Sequence, residues 1–183
     1  NGLEFASSTV GGDLLATATA GDITQNNEAL AITGTTTLIT ATSNADIILG
    51  TASNAFTGEV TLNTTGSTGN ATLNSGTTAL QLGTYSGTTT TATSVGGNLA
   101  ITAGAAVTDL DALTVGGTTT ISAIGVDVTL NSAANDFQGA VAINGVNVTV
   151  VDANDIILGA STVTGTTTGY GITASGGVTQ SSG

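Results

Sequence analysis

The sequence predicts an all-β protein, specifically a right-handed parallel β-helix (a β-solenoid) of roughly eight to nine coils. Short runs alternate apolar and polar residues with a period of two, as in residues 99–102, 126–130 and 146–150. Gly-Gly, Gly-Asn and Asn-Ser pairs separate these runs, which is typical of strands joined by tight turns. No long window carries a 3.6-residue apolar stripe, so helices are not expected. The chain is also self-similar, and this repetition favours a solenoid over a sandwich or a barrel.

The self-similarity has an offset of about 81–85 residues. Matching segments are residues 10–14 and 95–99, 23–25 and 107–109, 34–38 and 117–121, and 54–60 and 135–141. Copy one therefore extends from about residue 10 to 94, and copy two from about 95 to 175. Residues 178–180 repeat the 23–25 segment, so a third copy starts near residue 176. We expect residues 1–183 to form a single β-solenoid segment that is one piece of a longer array.

A shorter period lies inside each copy, because residues 46–50 resemble residues 127–131 and 155–159. Four coils per copy correspond to about 21 residues per coil, the size of one three-stranded turn of a parallel β-helix. Coils stacked about 4.8 Å apart would make a rod roughly 40 Å long. Small β-branched residues suit its thin core, and stacked Asn and Thr side chains are expected to form ladders at the corners.

The composition excludes several functions. The chain has 12 Asp and Glu but no Lys, Arg or His, which gives a net charge of −12. Nucleic-acid phosphates and anionic membrane surfaces are bound by cationic side chains, so neither is an expected partner. No apolar run approaches 18 residues, so direct membrane insertion is not expected. Without Cys or His, the chain lacks thiol nucleophiles, imidazole bases and the usual zinc ligands. We expect no enzyme activity and no cofactor.

Asp109 and Asp111 are the acidic pair that most resembles a catalytic arrangement, since paired carboxylates hydrolyse glycosidic bonds in some β-helical enzymes. Such enzymes usually hold the sugar with basic or aromatic residues, and this chain has no basic residue and no Trp. We therefore interpret the pair as turn-forming or solvated acids.

Asp136, Asp152 and Asp155 are weak Ca²⁺ candidates, because carboxylate oxygens are the ligands that Ca²⁺ prefers. Neither the Gly-rich nonapeptide of Ca²⁺-binding β-rolls nor an EF-hand loop is present. Diffuse Ca²⁺ bridging between acidic rods is favoured over a specific site, and turn formation alone also accounts for these residues.

Phe56 and Phe137 occupy equivalent positions in the repeat and are predicted to fill the core. Tyr85 and Tyr170 are isolated aromatic residues that could stack on a sugar or a neighbouring subunit. Thr-rich blocks at residues 35–37, 88–91, 118–120 and 166–168 raise the possibility of an ice-binding face. Their spacing alternates instead of giving one pair per coil, so we expect Thr simply to be the outward residue of each strand.

Several segments resemble the repeat of filamentous-haemagglutinin-like proteins. They are Gly-Asn-Leu at 97–99, residues 113–120, Val-Asp-Val-Thr-Leu-Asn at 126–131, and Asn-Asp-Phe-Gln-Gly-Ala-Val at 135–141. These are large proteins exported by Gram-negative bacteria, and long autotransporter-type adhesins carry related repeats. The resemblance covers the chain from about residue 10 onward. It implies a right-handed β-helical shaft located outside the cell or at its surface.

The composition, the repeat and this resemblance together predict a structural segment of an extracellular fibre or adhesin shaft. The expected partners are other copies of the chain, stacked end to end, with host or cell-surface glycans as a further class. The alternative is a carbohydrate- or ice-binding β-solenoid module.

Overall fold

The computed structural model describes residues 2–83, 85–86 and 90–181, and it describes only the backbone of residues 85, 86, 90 and 91. The side chain of Tyr85 and the Thr block at 88–91 therefore lie outside the described residues. The described residues form strands and turns with no helix, which confirms the all-β prediction. The strands are β1 (Leu3–Phe5), β2 (Ser8–Val10), β3 (Leu14–Ala18), β4 (Ile23–Gln25), β5 (Leu30–Ile32), β6 (Thr36–Ser43), β7 (Ile47–Leu49), β8 (Ala55–Phe56), β9 (Val60–Thr65), β10 (Ala71–Asn74), β11 (Leu80–Leu82), β12 (Tyr85–Ser86), β13 (Thr90–Thr91), β14 (Thr93–Val95), β15 (Leu99–Thr102), β16 (Val107–Asp109), β17 (Leu113–Val115), β18 (Thr119–Ser122), β19 (Val128–Leu130), β20 (Asp136–Phe137), β21 (Ala140–Gly145), β22 (Val148–Asp152), β23 (Ile156–Leu158), β24 (Thr162–Val163), β25 (Tyr170–Ala174) and β26 (Val178–Gln180).

Two long parallel sheets run along the whole rod and form two of its walls. Sheet X has the order β1-β4-β7-β10-β15-β18-β21-β23-β26, and sheet Y has the order β3-β6-β9-β11-β16-β19-β22-β25. All their pairings are parallel, and the strands stack into a β-solenoid of about eight turns, as predicted. We number the coils by their sheet X strands, so that coil 1 begins at β1 and coil 9 at β26.

Coil length varies more than the predicted period of about 21 residues. The aligned sheet X positions are Leu3, Ile23, Ile47, Ala71, Leu99, Thr119 and Val141. They give coils of 20, 24, 24, 28, 20 and 22 residues. The longest, coil 4, contains the antiparallel hairpin of β12 and β13, which leaves the parallel stack between Gly83 and Thr93.

The third wall is built from short sheets that change sides. The first short sheet, β2-β5-β8, follows sheet X and precedes sheet Y in each coil. The second, β14-β17-β20, branches from β9 and follows sheet Y instead. Strand β24 branches from β21 and again stands between a sheet X strand and a sheet Y strand. The third wall therefore alternates between the two sides of the tube.

This alternation makes matching sequence segments exchange walls. Residues 23–25 lie in sheet X, residues 107–109 in sheet Y, and residues 178–180 in sheet X again. Strands β4 and β26 are seven steps apart in sheet X, so two repeats occupy seven coils. One repeat is thus three and a half coils, and not the four that the sequence suggested. We call residues 23–102 module one and residues 107–174 module two. The predicted copy boundaries at 10–94 and 95–175 stay a prediction.

The core is one continuous cluster of Val, Ile, Leu and Ala with two phenylalanines, Phe56 and Phe137, both fully buried. Thr36 and Thr119 are packed within it as well, so the expectation that Thr points outward is wrong for these two residues. Thr37 is also buried, but alternation along β6 turns its side chain away from the side that Thr36 and Leu38 face. Thr119 stacks between Leu99 and Val141. Thr has the shape of Val and fits such an apolar stack sterically, although its hydroxyl needs a partner.

The Thr blocks do not share one wall. Thr36 and Thr37 lie in β6 of sheet Y, whereas Thr119 and Thr120 lie in β18 of sheet X. A flat Thr face needs one pair per coil on a single wall, so these blocks give the ice-binding alternative no support.

Candidate functional site

Buried polar side chains are grouped at the ends of the two short sheets. In each module an Asn-x-Phe sequence contributes the last strand of a short sheet, β8 with Phe56 and β20 with Phe137. Gly58 and Gly139 follow, and a Cβ at either would lie 2.3–2.4 Å from a carbonyl oxygen of the coil below. Only glycine allows the chain to pass this closely from the short sheet to the next wall.

At the first end, Asn54 joins three segments of two adjacent coils. Its Oδ1 accepts hydrogen bonds from the Leu30 amide at 2.9 Å and from the Gln25 side chain at 2.5 Å. Its Nδ2 donates to Gln25 Oε1 at 3.1 Å and to the Leu49 carbonyl at 3.4 Å. Asn54 is 1% exposed, so these bonds replace the water that a buried amide would otherwise require.

At the second end, Asn135 occupies the equivalent place but faces a carboxylate. Its Oδ1 accepts from the Leu113 amide at 2.8 Å, and its Nδ2 donates to Asp109 Oδ2 at 2.7 Å. Asp109 also accepts from the amides of Asn131 at 2.8 Å and Ser132 at 3.2 Å. A buried charge is therefore held by three N–H donors and no cation, which is the arrangement available to a chain without Lys or Arg.

A second carboxylate closes the edge of the second short sheet. Strand β20 is the last strand of that sheet, because the chain of coil 7 passes directly from β22 to β23. Asp152, which is 1% exposed, reaches back to it: Oδ2 accepts from the Phe137 amide at 2.9 Å and Oδ1 from the Asn154 amide at 2.7 Å. One side chain thus supplies the acceptor that a further strand would have supplied.

The equivalent position of module one carries Ser75. When strand β10 of module one is aligned with strand β22 of module two, Ser75 corresponds to Asp152. Its hydroxyl is buried and has no hydrogen-bond partner among the residues that the structure describes. The two sheet ends therefore share their Asn and Phe residues but differ in how the following coil covers them.

Beside the second sheet end lies an open surface groove of about 520 Å³. Its polar lining includes Asp136, Gln138, Asn154, Asp155 and Ser175. Asp136 accepts a hydrogen bond from the Gln138 side chain at 3.2 Å, and Asp155 accepts one from the Gly177 amide at 2.6 Å. The groove is acidic and solvent-exposed, and its carboxylates already serve local turns.

A separate ladder of short polar side chains runs along the corner that precedes sheet X. Asp22 accepts from the Asp46 amide at 2.9 Å, Asp46 from the Asn70 amide at 2.7 Å, and Asn70 from the Asn98 amide at 2.9 Å. Asn98 in turn accepts from the Thr118 amide at 2.8 Å. Each side chain therefore satisfies a turn amide of the next coil, and the ladder fixes the register of successive coils.

The profile of a family described as "repeats of unknown function" (DUF5649) matches residues 1–63, 68–144 and 145–183. The chain belongs to this family. No curated protein and no solved structure matches it. The first two matches end at Asn63 in β9 and Asn144 in β21, which are equivalent residues of the two long strands from which the second short sheet and β24 branch. The family unit thus ends where the third wall changes sides.

The structure brings two of the three Ca²⁺ candidates of this DUF5649 chain to the groove and places the third elsewhere. Asp136 and Asp155 line it, whereas Asp152 is buried with both oxygens bound to backbone amides. In the part of the chain that the structure describes, no three His, Cys, Asp or Glu side chains are grouped to hold a metal ion. A Ca²⁺ role, specific or diffuse, stays a prediction.

Asp109 and Asp111 are not arranged as a pair. Asp109 is buried and bound to three N–H groups, while Asp111 is exposed. Tyr170 lies in β25, half-buried, with its hydroxyl 3.3 Å from Ser161 Oγ. Among the described residues, none belongs to a helix that could cross a membrane.

Proposed function

We propose that this chain is a non-catalytic structural segment of an extracellular bacterial fibre or adhesin shaft, of the filamentous-haemagglutinin-like type, continued at its ends by further copies. The observation that carries the proposal is the course of the long sheets. Among residues 2–83, 85–86 and 90–181, which the structure describes, sheets X and Y run through every coil and end on strands paired on one side only, β1 and β3 at one end of the rod and β26 and β25 at the other. Free parallel edges over an open core are what a further coil would pair with.

The charge of the chain supports end contacts over side contacts. Every charged side chain is acidic, so rods lying side by side repel each other over a range of about 10 Å at 0.1 M salt. An end contact forms short-range hydrogen bonds and buries apolar core, and Val178 at the last strand is 54% exposed. The attraction is thus concentrated at the ends while the repulsion is spread along the rod.

A matched pair of variants tests the end contact. Val178→Lys introduces a charge at the open end, and Ile124→Lys introduces the same charge at an exposed side position, where Ile124 is 78% exposed. We expect wild-type protein and Ile124→Lys to form linear assemblies in electron micrographs at high concentration, and Val178→Lys to remain as single rods. Assemblies that survive Val178→Lys unchanged, or wild-type protein that never associates, would refute the end-to-end proposal.

The addition of Ca²⁺ distinguishes side-by-side contacts between rods from end-to-end contacts. Light scattering in low salt with a chelator reports end contacts alone, whereas millimolar Ca²⁺ should add side-by-side bundling by bridging carboxylates. If chelated rods bundle sideways as readily as Ca²⁺-loaded rods, the electrostatic argument is wrong.

A further inference from the structure

We infer that each module contains a built site at which the chain can leave the solenoid and return without disturbing its walls, so that the shaft can carry side excursions at fixed places. The site, which we call the neck, consists of Gly83 and Thr93 in module one and of Gly159 and Ser161 in module two.

In module one the neck lies over the long strand β9. The Gly83 amide donates to the Val60 carbonyl at 3.1 Å, which fixes the point of departure. The Thr93 hydroxyl lies 3.2 Å from the Gly83 carbonyl, to which it donates, and it accepts from the Leu62 amide at 3.3 Å. Between these two residues the chain makes the hairpin of β12 and β13.

In module two the same bonds form over the equivalent strand β21. The Gly159 amide donates to the Val141 carbonyl at 2.7 Å. The Ser161 hydroxyl accepts from the Ile143 amide at 2.9 Å and donates to the Gly159 carbonyl at 3.4 Å. Here a single residue, Ala160, stands where module one has nine residues, 84–92. The same hydrogen bonds therefore close the neck whether the chain between its two residues is nine residues long or one.

The physical role of the hydroxyl explains this tolerance. When the chain leaves the stack, the amide of Leu62 or Ile143 on the strand below loses the carbonyl that would have faced it. A buried amide without a partner costs about 1–3 kcal/mol, and the Thr93 or Ser161 hydroxyl supplies the missing acceptor. Once the neck is closed, the length of chain between its ends adds only a slowly growing entropy cost.

The two necks lie on different walls, because β9 belongs to sheet Y and β21 to sheet X. In an array of such modules, excursions would emerge alternately from the two long walls, one for every three and a half coils. At about 4.8 Å per coil this spacing is roughly 17 Å.

A transplant tests the neck. Ala160 is replaced by the nine residues 84–92 of module one, and the full chain is unfolded in urea with its β-sheet circular dichroism as the signal. We expect the grafted chain to keep its spectrum and a single transition, with the midpoint lowered by less than about 0.5 M. The reciprocal variant, in which a single Ala replaces residues 84–92, should behave in the same way.

The control places the same nine residues between Thr72 and Leu73, in the middle of β10 of sheet X, where no neck exists. This chain should lose its cooperative transition. The inference is overturned if the graft at Ala160 unfolds the chain, and equally if the insertion in β10 is tolerated as well as the graft. In the grafted chain Ser161→Thr should be tolerated and Ser161→Val should not, because only the first keeps the acceptor for Ile143.

Discussion

The ends of the two short sheets solve the same structural problem with different chemistry. At the Phe56 end, Asn54 is paired with the neutral side chain of Gln25, and the coil above contributes the unpartnered hydroxyl of Ser75. At the Phe137 end, Asn135 is paired with a carboxylate, and a second carboxylate, Asp152, binds the last strand. The repeat thus preserves the Asn and the Phe, while the residues that complete the hydrogen bonding vary.

This difference shows what a chain without cations can do with buried acids. Asp109 and Asp152 lie in the interior with exposures of 7% and 1%, and their partners are backbone and side-chain amides instead of Lys or Arg. Charge-assisted hydrogen bonds are roughly twice as strong as neutral ones, so the second end depends more on contacts to charged groups. It should consequently be the more sensitive of the two to the loss of one group.

The largest effect is expected from Asp152→Ala. The substitution leaves the buried Phe137 amide and the Asn154 amide without acceptors, and hydrogen bonds to a charged group contribute about 1.5–3 kcal/mol each. We expect a loss of about 3–4 kcal/mol in the free energy of unfolding, measured by urea titration.

The matched control is Ser75→Ala at the equivalent position, which removes a buried hydroxyl that has no partner. Its effect should stay within about 1 kcal/mol. Equal losses for Asp152→Ala and Ser75→Ala would show that the hydrogen bonds from the Phe137 and Asn154 amides to Asp152 contribute nothing to stability.

A smaller contrast is expected between Asn135→Ala and Asn54→Ala. Both variants orphan a strand amide, Leu113 or Leu30, and both create a small void. Asn135→Ala also removes a donor from the buried Asp109 carboxylate, whereas Asn54→Ala leaves the neutral Gln25. We expect losses of about 3 and 2 kcal/mol respectively. The double variant Asp109→Ala/Asn135→Ala should lose less than the sum of its two single variants, because each single variant already breaks the Asn135–Asp109 hydrogen bond. The comparison fails if Asn54→Ala is the more damaging of the two.

Much of this architecture follows from the sequence, for identifiable reasons. Period-two alternation specifies which residues of each strand face inward, so the burial of Val128 and Leu130, and of Phe56 and Phe137, agrees with the pattern. The repetition of short strands then indicates a solenoid. Alternation does not say to which wall a strand belongs, however. The sequence therefore could not reveal that one repeat occupies three and a half coils, so that matching segments lie on different walls.

The candidate site was less accessible to sequence reasoning. Asn54 and Asn135 bind amides 24 and 22 residues earlier, in the coil below, so their role depends on register and not on local spacing. The neck was hidden because its two residues are ten positions apart in module one and two apart in module two. The sequence did carry one signal of the two sheet ends, because segment 54–60 is repeated at 135–141 with its Asn, Phe and Gly.

The smallest expected effect concerns the buried threonines, and it has the opposite sign. The Thr119 hydroxyl is buried between Leu99 and Val141 with no partner in the described part of the chain, whereas the hydroxyl of Thr93 closes the neck. Thr119→Val keeps the shape of the side chain and removes an unsatisfied polar group, so the free energy of unfolding should rise by about 1 kcal/mol. Thr93→Val makes the same chemical change but orphans the Leu62 amide, and it should lower the free energy of unfolding by about 1–2 kcal/mol. Urea titration of the two variants beside wild type measures both signs. Destabilisation by Thr119→Val would mean that the Thr119 hydroxyl has a hydrogen-bond partner in solution. The contrast between an unpaired hydroxyl at Thr119 and a paired one at Thr93 would then be wrong.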